Sequence, residues 1–364
     1  MLPAMRILYG VVGEGMGHAI RSRVVLDHLV AEGHEVEIVA SQRAVDFLRN
    51  AFDDRADVHQ IHGLHIVTEE NRVRRSKTLW ANVRDGLESL PGQISAYFDL
   101  IRDFEPQAVV SDFESWSYLF GKLHRLPVFS VDNMQIINRC VIPEDVIGPY
   151  RGEFEVTRAF IKSKLPLAEH YFIATFFRPP LRKDRTTLVP PILRPEILAA
   201  RAEEGEHLLV YQTAEGNEEL VKALEETGLE CRIYGMRRGI PEEQREGRLR
   251  YMPFSEARFI DDLRTSRAVI TGGGFTLMSE CVYLHKPTLS VPISGHFEQI
   301  LNGRYLEHEG YGRFATALDG AAVHAFLEVV PQCQAALASV SQDGNKELFA
   351  ALDEQLDRAA AGLC

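Results

Sequence analysis

Cysteine, positive charge and long apolar runs are all scarce in this chain of 364 residues. Its five cysteines (Cys140, Cys231, Cys281, Cys333 and Cys364) are odd in number and widely spaced, and no CxxC pair or Cys/His cluster has zinc spacing. That disfavours a disulfide framework or a structural zinc, and no metal site is expected. Lysine and arginine total 40 against 52 aspartates and glutamates, a net charge of −12. A general nucleic-acid binder draws its affinity from releasing phosphate counterions with Lys and Arg, so no nucleic-acid partner is expected. The longest apolar runs have the length of a strand, well below the roughly 20 residues that span a bilayer. The N-terminus runs into a strand without a signal-peptide pattern, and a reducing cytoplasm is the expected compartment.

What is present fits a globular protein with real cores: 45% apolar and 25% charged residues, in a length that suggests two domains. Arg6 to Val12 is a nearly continuous apolar run, as a parallel strand covered on both faces would be. A Gly-rich turn, a helix from about Ala19 to Ala31 and a second strand, Glu35 to Ala40, follow it. Ala108–Ser111, Val128–Val131 and Tyr171–Ala174 read as further strands, with helical stretches between most of them. This alternation implies βαβ units and a parallel sheet. From Phe176 to Pro195 the rhythm breaks, with five of the seventeen prolines in one stretch that reads as an interdomain crossing, unsuited to sheet or helix interior. Alternation resumes with His207–Gln212, Cys231–Tyr234, Ala268–Thr271 and Thr288–Val291, and Lys346–Ala361 reads as a terminal helix. The expected fold is α/β, two Rossmann-like domains facing across a cleft. Residues 1–180 would form the first domain, 181–205 a linker and 206–344 the second domain. The segment 345–364 would be a helix packing back on the first domain.

Three segments could carry chemistry. The first, from Gly10 to His18, follows the first strand and includes Gly13, Gly15 and Gly17. A dinucleotide fingerprint would need its last glycine where His18 stands, so a nicotinamide site is not matched. The imidazole sits instead at a helix mouth, where the dipole favours the neutral, base-competent ring. The second is Asp112, at the C-terminal end of an apolar strand, the edge that carries sites in open α/β folds. It could fix the tautomer of His18 or simply cap the helix that starts near Glu114. The third, from Ala268 to Glu280, is a strand, a Gly272-Gly273-Gly274 turn and a helix start, with Phe275 after the turn. Free N–H groups there attract phosphate. Thr276 and Glu280, at i and i+4, share a face that suits a nucleotide diphosphate and its ribose. Further on, His296, Glu298, Gln299 and Asn302 enter a helix after a Pro-Gly turn, where they could bond sugar hydroxyls or be solvated first-turn residues.

Together, GEGMGH at the first helix mouth, the Pro-rich crossing, Tyr251-Met-Pro-Phe254, TGGGFTLMSE and PISGHFEQILN resemble the GT-B glycosyltransferases. The likeness is to the branch of the peptidoglycan GlcNAc transferase and the UDP-glucuronosyl/glucosyltransferases, over essentially the whole chain. The resemblance implies that His18 is the catalytic base and Asp112 its paired aspartate. Phe254 would lie at the nucleotide base, Gly273, Gly274 and Thr276 at the diphosphate, Glu280 at the ribose, and Glu298 and Gln299 at the donor sugar. Retaining members typically carry two glutamates here. In this chain Gly272 stands at the first place and only Glu280 remains, which favours inversion.

The expected activity is an inverting transfer from a nucleotide-diphospho-sugar, UDP-linked, to an acceptor hydroxyl, with no cofactor beyond that co-substrate. Cleft closure over the donor is expected, with the linker and terminal helix absorbing the motion. The acceptor is a small molecule, a glycan or a lipid. The basic run Arg72–Lys77 beside Trp80 could meet an anionic acceptor or membrane headgroups peripherally, or be a solvated loop. The alternatives are an epimerase acting on UDP-GlcNAc without an acceptor, and a non-catalytic nucleotide-sugar sensor.

Overall fold

The computed structural model describes residues 4–13, 15–61, 101, 103–212, 218–237 and 239–363. The basic run Arg72–Lys77 and Trp80 lie outside them. Among the described residues the first sheet has seven strands in the order β3-β2-β1-β4-β5-β6-β7, all parallel. Strand β1 (Arg6–Val11) stands third in that order, with β2 (Glu35–Ala40) and β3 (Asp57–Gln60) on one side. On the other side stand β4 (Ala108–Asp112), β5 (Val128–Asp132), β6 (His170–Ala174) and β7 (Thr186–Val189). The chain reverses its direction of travel between β1 and β4, and ligands bind at such a switch point. Helices α1 (Met16–Ala31), α2 (Arg43–Phe52) and α3 (Ser115–Leu123) pack around the sheet. The short α4 (Ile136–Arg139) and α5 (Glu144–Ile147) lead into α6 (Arg151–Lys164).

The second half repeats the plan. After α7 (Pro195–Ala199), β8 (Leu208–Tyr211), α8 (Glu218–Glu226) and β9 (Cys231–Tyr234) begin a sheet ordered β10-β11-β9-β8-β12-β13-β14. Its β10 (Gln244–Glu246) runs antiparallel to β11 (Leu249–Tyr251) at one edge. The other elements are α9 (Glu256–Arg264), β12 (Ala268–Thr271), α10 (Phe275–Tyr283), β13 (Thr288–Ser290), α11 (Phe297–His308), β14 (Gly312–Phe314), α12 (Gly320–Leu337) and α13 (Lys346–Ala360). Here the switch point lies between β8 and β12.

The Pro-rich stretch departs from its reading as a crossing free of sheet. Thr186-Thr-Leu-Val189 pairs with β6 as an edge strand of the first sheet, inside the span assigned to the linker. The prolines flank this β-branched tetrapeptide rather than occupy it, and proline at the ends of an edge strand breaks no ladder bond. The crossing itself therefore begins near Pro190.

Two helices tie the halves together. Leu348, Leu352 and Leu356 of α13, one per turn, join the core of the first domain with Val25, Leu26 and Leu29. His28 stacks on Phe349 at 4.0 Å and its Nε2 lies 2.9 Å from Asp353. At about 1.5–3 kcal/mol per buried leucine, the docking of α13 contributes roughly 5–9 kcal/mol of apolar burial as an upper bound. Helix α11 presents Phe297, Leu301 and Tyr305 to a cluster otherwise built from the first domain. There Tyr305 stacks on Phe177 at 3.7 Å and Phe297 meets Phe154 at 5.5 Å.

Candidate active site

Gly15, at φ 85°, turns the chain from β1 into α1, a conformation that costs a side-chain-bearing residue strain. His18 follows in the first turn of that helix. Asp112 ends β4, and Phe113 beyond it is held at φ 56°, a strained turn that separates Asp112 from helix α3. The cap of α3 is Glu114, whose carboxylate accepts from Trp116 N at 2.8 Å and Ser117 N at 2.6 Å. Asp112 is thus not the helix cap.

Its fully buried carboxylate instead faces α1. His18 Nδ1 lies 2.9 Å from Oδ1, Arg21 Nε donates to Oδ2 at 2.8 Å, Arg21 Nη2 donates to Oδ1, and Ser22 Oγ donates to Oδ2 at 2.9 Å. Burial works to raise the carboxyl, but the Arg21 guanidinium and the His18 ring outweigh it and hold Asp112 well below the usual carboxylate range. Among the described residues nothing bonds His18 Nε2, which leaves that nitrogen free for a proton.

The glycine turn after β12 opens α10. Gly273, at φ 89°, could carry a side chain only under strain: a Cβ there would lie 2.9 Å from the Gln299 carbonyl and from Ser290 Oγ. Around Gly274, the residue before α10, a Cβ would meet nothing within 4 Å, so a ligand can approach the backbone. Gly272 has only ordinary contacts. The Phe275 ring is buried and stacks on Phe176 at 5.8 Å, so the side chain does not face the turn's open side. Thr276 Oγ1 donates to the Gly17 carbonyl at 3.3 Å, and a Cβ on Gly17 would lie 2.7 Å from that hydroxyl. The two glycine-bearing helix mouths therefore touch across the cleft.

The sugar segment is gathered in part. Glu298 accepts from Asn302 Nδ2 at 2.7 Å and, from the first domain, from Asn133 Nδ2 at 3.0 Å. Asn302 also donates to the Gly273 carbonyl at 3.2 Å, joining this helix to the glycine turn. Gln299 Oε1 accepts from Ile293 N at 3.1 Å and so braces the Pro-Gly turn. His296 and Phe254 are exposed, Phe254 by 80%, and form no part of this hydrogen-bonded cluster.

Glu280, expected at the ribose, has an arginine partner that the sequence did not mark. Arg194 at the end of the crossing holds both its oxygens, Nε at 2.8 Å and Nη2 at 3.0 Å, and reaches Glu256 with Nη1 at 2.6 Å. Glu280 is buried in that fork, and a ribose hydroxyl would have to share it with Arg194.

Arg21, Asn133 and Arg194 are the residues sequence reasoning passed over. Arg21 and Ser22 stand at i+3 and i+4 from His18, on one helix face. Asn133 directly follows β5, on the same sheet edge as Asp112. A separate cavity of about 490 Å³, over Tyr251 and Arg237 beneath α8, shares no residue with this constellation.

Two Rossmann-like domains, with an imidazole–carboxylate pair at one helix mouth and a glycine turn at the other, define the GT-B class of glycosyltransferase. Residues 5–331 match the profile described as Glycosyl transferase family 1, and the chain belongs to that family. An uncharacterized glycosyltransferase of Methanosarcina mazei is 27% identical over 339 residues, covering 85% of each chain. One of Methanosarcina acetivorans is 23% identical, again with 85% of each chain covered. Among solved structures, the UDP-glucosyltransferase from Polygonum tinctorium superposes with a TM-score of 0.66 at 16% identity over 99% of both chains. Phytolacca americana UGT2, complexed with UDP-2fluoro-glucose and pterostilbene, gives 0.67 at 15% identity over 98% of this chain and 100% of that one. At such identities the likeness is one of fold.

Proposed function

We propose that the protein is an inverting glycosyltransferase that moves a sugar from a UDP-linked donor to an acceptor hydroxyl, with His18 as general base. One observation carries the reading: the His18–Asp112 pair and the phosphate-ready mouth of α10 belong to different domains, yet the helices bearing them touch at Gly17 and Thr276. A donor whose diphosphate lies on the N–H groups of Gly274 and Phe275 would place its anomeric carbon toward the base. Glu298 and Asn302, already joined to the glycine turn, would bond the sugar hydroxyls. Solved neighbours named as UDP-glucosyltransferases or bound to UDP-2fluoro-glucose support the UDP assignment.

In the reaction the acceptor oxygen attacks the anomeric carbon from the face opposite the diphosphate. Its proton passes to His18 Nε2 as the carbon–oxygen bond to the diphosphate breaks. The nucleotide leaves with the electron pair and configuration inverts. Asp112, accepting from Nδ1, stabilises the imidazolium so formed. Charge building on the leaving phosphate meets N–H groups already oriented by the helix.

General-base assistance contributes about 10²–10⁴-fold. The His18→Ala enzyme should lose turnover in that range while UDP still raises its melting temperature, because ligand binding shifts stability by mass action. The measurement is product formation from a panel of UDP, dTDP, GDP and CDP sugars with a broad set of acceptors. Wild-type turnover in His18→Ala overturns the base assignment, and epimerised UDP-GlcNAc without acceptor overturns the transferase reading.

A further inference from the structure

His18 touches Asp112 and Arg21, and the groups that surround Arg21 in turn are Tyr9 of β1, Ser22 of α1, Asp112 of β4, and Asp132 and Asn133 at the end of β5. Through Asn133 the constellation extends to Glu298 of α11. Arg21 stands at the centre. Its guanidinium is buried, grips both oxygens of Asp112 and donates through Nη1 to Asn133 Oδ1. The orientation of the Asn133 amide follows from chemistry: its oxygen faces a group that only donates, and its nitrogen faces a carboxylate.

Arg21 Nη2 also lies 2.7 Å from His18 Nδ1. An arginine N–H turned on that nitrogen would force the ring proton onto Nε2 and leave no lone pair for an acceptor. Turned on Asp112 Oδ1, the same N–H lets Nδ1 keep its proton and donate it to the carboxylate. The choice between these arrangements depends on where the plane of the guanidinium is held. A carboxylate alone is free to rotate, and a single bond to Asp112 would not fix that plane. Three anchors do: the two oxygens of Asp112 and Asn133 Oδ1, with Asn133 itself held by a carboxylate of the second domain.

We propose that Arg21 is a positioning residue for the base, setting the Nδ1–H tautomer of His18 through Asp112, and that its placement is anchored across the cleft by Asn133 and Glu298. This rests on the reading of His18 as the base, and it goes further by making that base's readiness depend on the donor domain. Lysine cannot replace arginine here, since one ammonium cannot hold two carboxylate oxygens and an amide in a fixed plane.

The test reads the ring nitrogens rather than turnover. The full chain, labelled with ¹⁵N at histidine, is observed by long-range ¹H–¹⁵N spectroscopy at a pH where the ring is neutral. The His18 signals are assigned by their loss in His18→Gln. In the wild type the proton is expected on Nδ1, with Nε2 bare. In Arg21→Lys, which keeps the charge buried beside Asp112 and so protects the fold, the two nitrogen shifts should converge as the tautomers mix. Asn133→Ala should shift them the same way by a smaller amount. A wild-type proton on Nε2 overturns the proposal by itself. An unchanged Arg21→Lys spectrum overturns the positioning role, and an unchanged Asn133→Ala spectrum overturns the anchor. Because no catalysis is read, failure of the transferase reading would show separately, as absent transfer with the tautomer in place.

Discussion

Replacing Asp112 by asparagine changes one atom and should disturb both stability and chemistry. The carboxylate receives Arg21 Nε and Ser22 Oγ on one oxygen, and Arg21 Nη2 and His18 Nδ1 on the other. An amide has only one acceptor oxygen. Whichever way it turns, its NH₂ meets an arginine donor, and the Arg21 charge loses its counter-ion in a buried place. Breaking a buried ion pair by removing one partner costs about 3–5 kcal/mol. Ser22→Ala, which removes one neutral donor, should cost only about 1 kcal/mol and serves as the control. Urea unfolding followed by tryptophan fluorescence measures both. Turnover of Asp112→Asn should fall within the roughly 10²–10⁴-fold that the base supplies. The pH dependence gives a sharper check. The folded-state value of Asp112 is depressed, so its ionised form contributes stability that is fully present above the unfolded value of about 3.9. That contribution is lost as the pH falls through the folded value. The stability gap between wild type and Asp112→Asn should therefore narrow on acidification. A gap that widens toward low pH, or an Asp112→Asn protein that unfolds at the wild-type urea concentration, would refute the account.

Two further substitutions probe the frame. Leu352→Ala removes a fully buried side chain where α13 docks on the first domain, and should cost about 2–5 kcal/mol in the same urea experiment; a loss below that range would mean that α13 is not held by its leucines. Gly273→Ala forces a side chain into a positive-φ position already 2.9 Å from the Gln299 carbonyl, a strain of about 1–3 kcal/mol. It should abolish the melting-temperature rise caused by UDP while leaving a folded protein. A Gly273→Ala chain that UDP stabilises as it does the wild type would remove the glycine turn from the phosphate site.

Much of the frame was readable from hydrophobic runs. Cys231–Tyr234 and Ala268–Thr271 form strands over the ranges their apolar runs suggested, and β1, β4 and β6 differ from theirs by a residue at one end. Such buried parallel strands advertise themselves because both faces are covered. The strands that escaped are three or four residues long: β3, β7, β10 and β14 at sheet edges, and β11 next to the edge strand β10. Helix α1 starts a turn earlier than its apolar periodicity indicates, and that places His18 inside the helix rather than before it. Of the site, the His18–Asp112 contact was legible because the helix mouth after β1 and the end of β4 meet at one switch point. Arg21 and Asn133 were not, since nothing local marks an arginine in a helix or an asparagine after a strand as partners across 112 positions. The fork on Glu280 was hidden for the same reason, its companion Arg194 lying 86 residues earlier in an irregular segment.

The return of α13 to Leu26 and Leu29 has a bearing on how the polypeptide acquires its shape. The first lobe is discontinuous, its hydrophobic interior sealed by a segment translated only after the whole of the second lobe. During synthesis the early lobe must wait with an uncovered furrow beside α1, over β6 and β7, a surface of the kind that chaperones shield and that invites aggregation. Cutting the gene at the Pro-rich crossing would accordingly yield an amino-terminal fragment lacking its lid, and a carboxy-terminal one trailing a helix with no groove to fill.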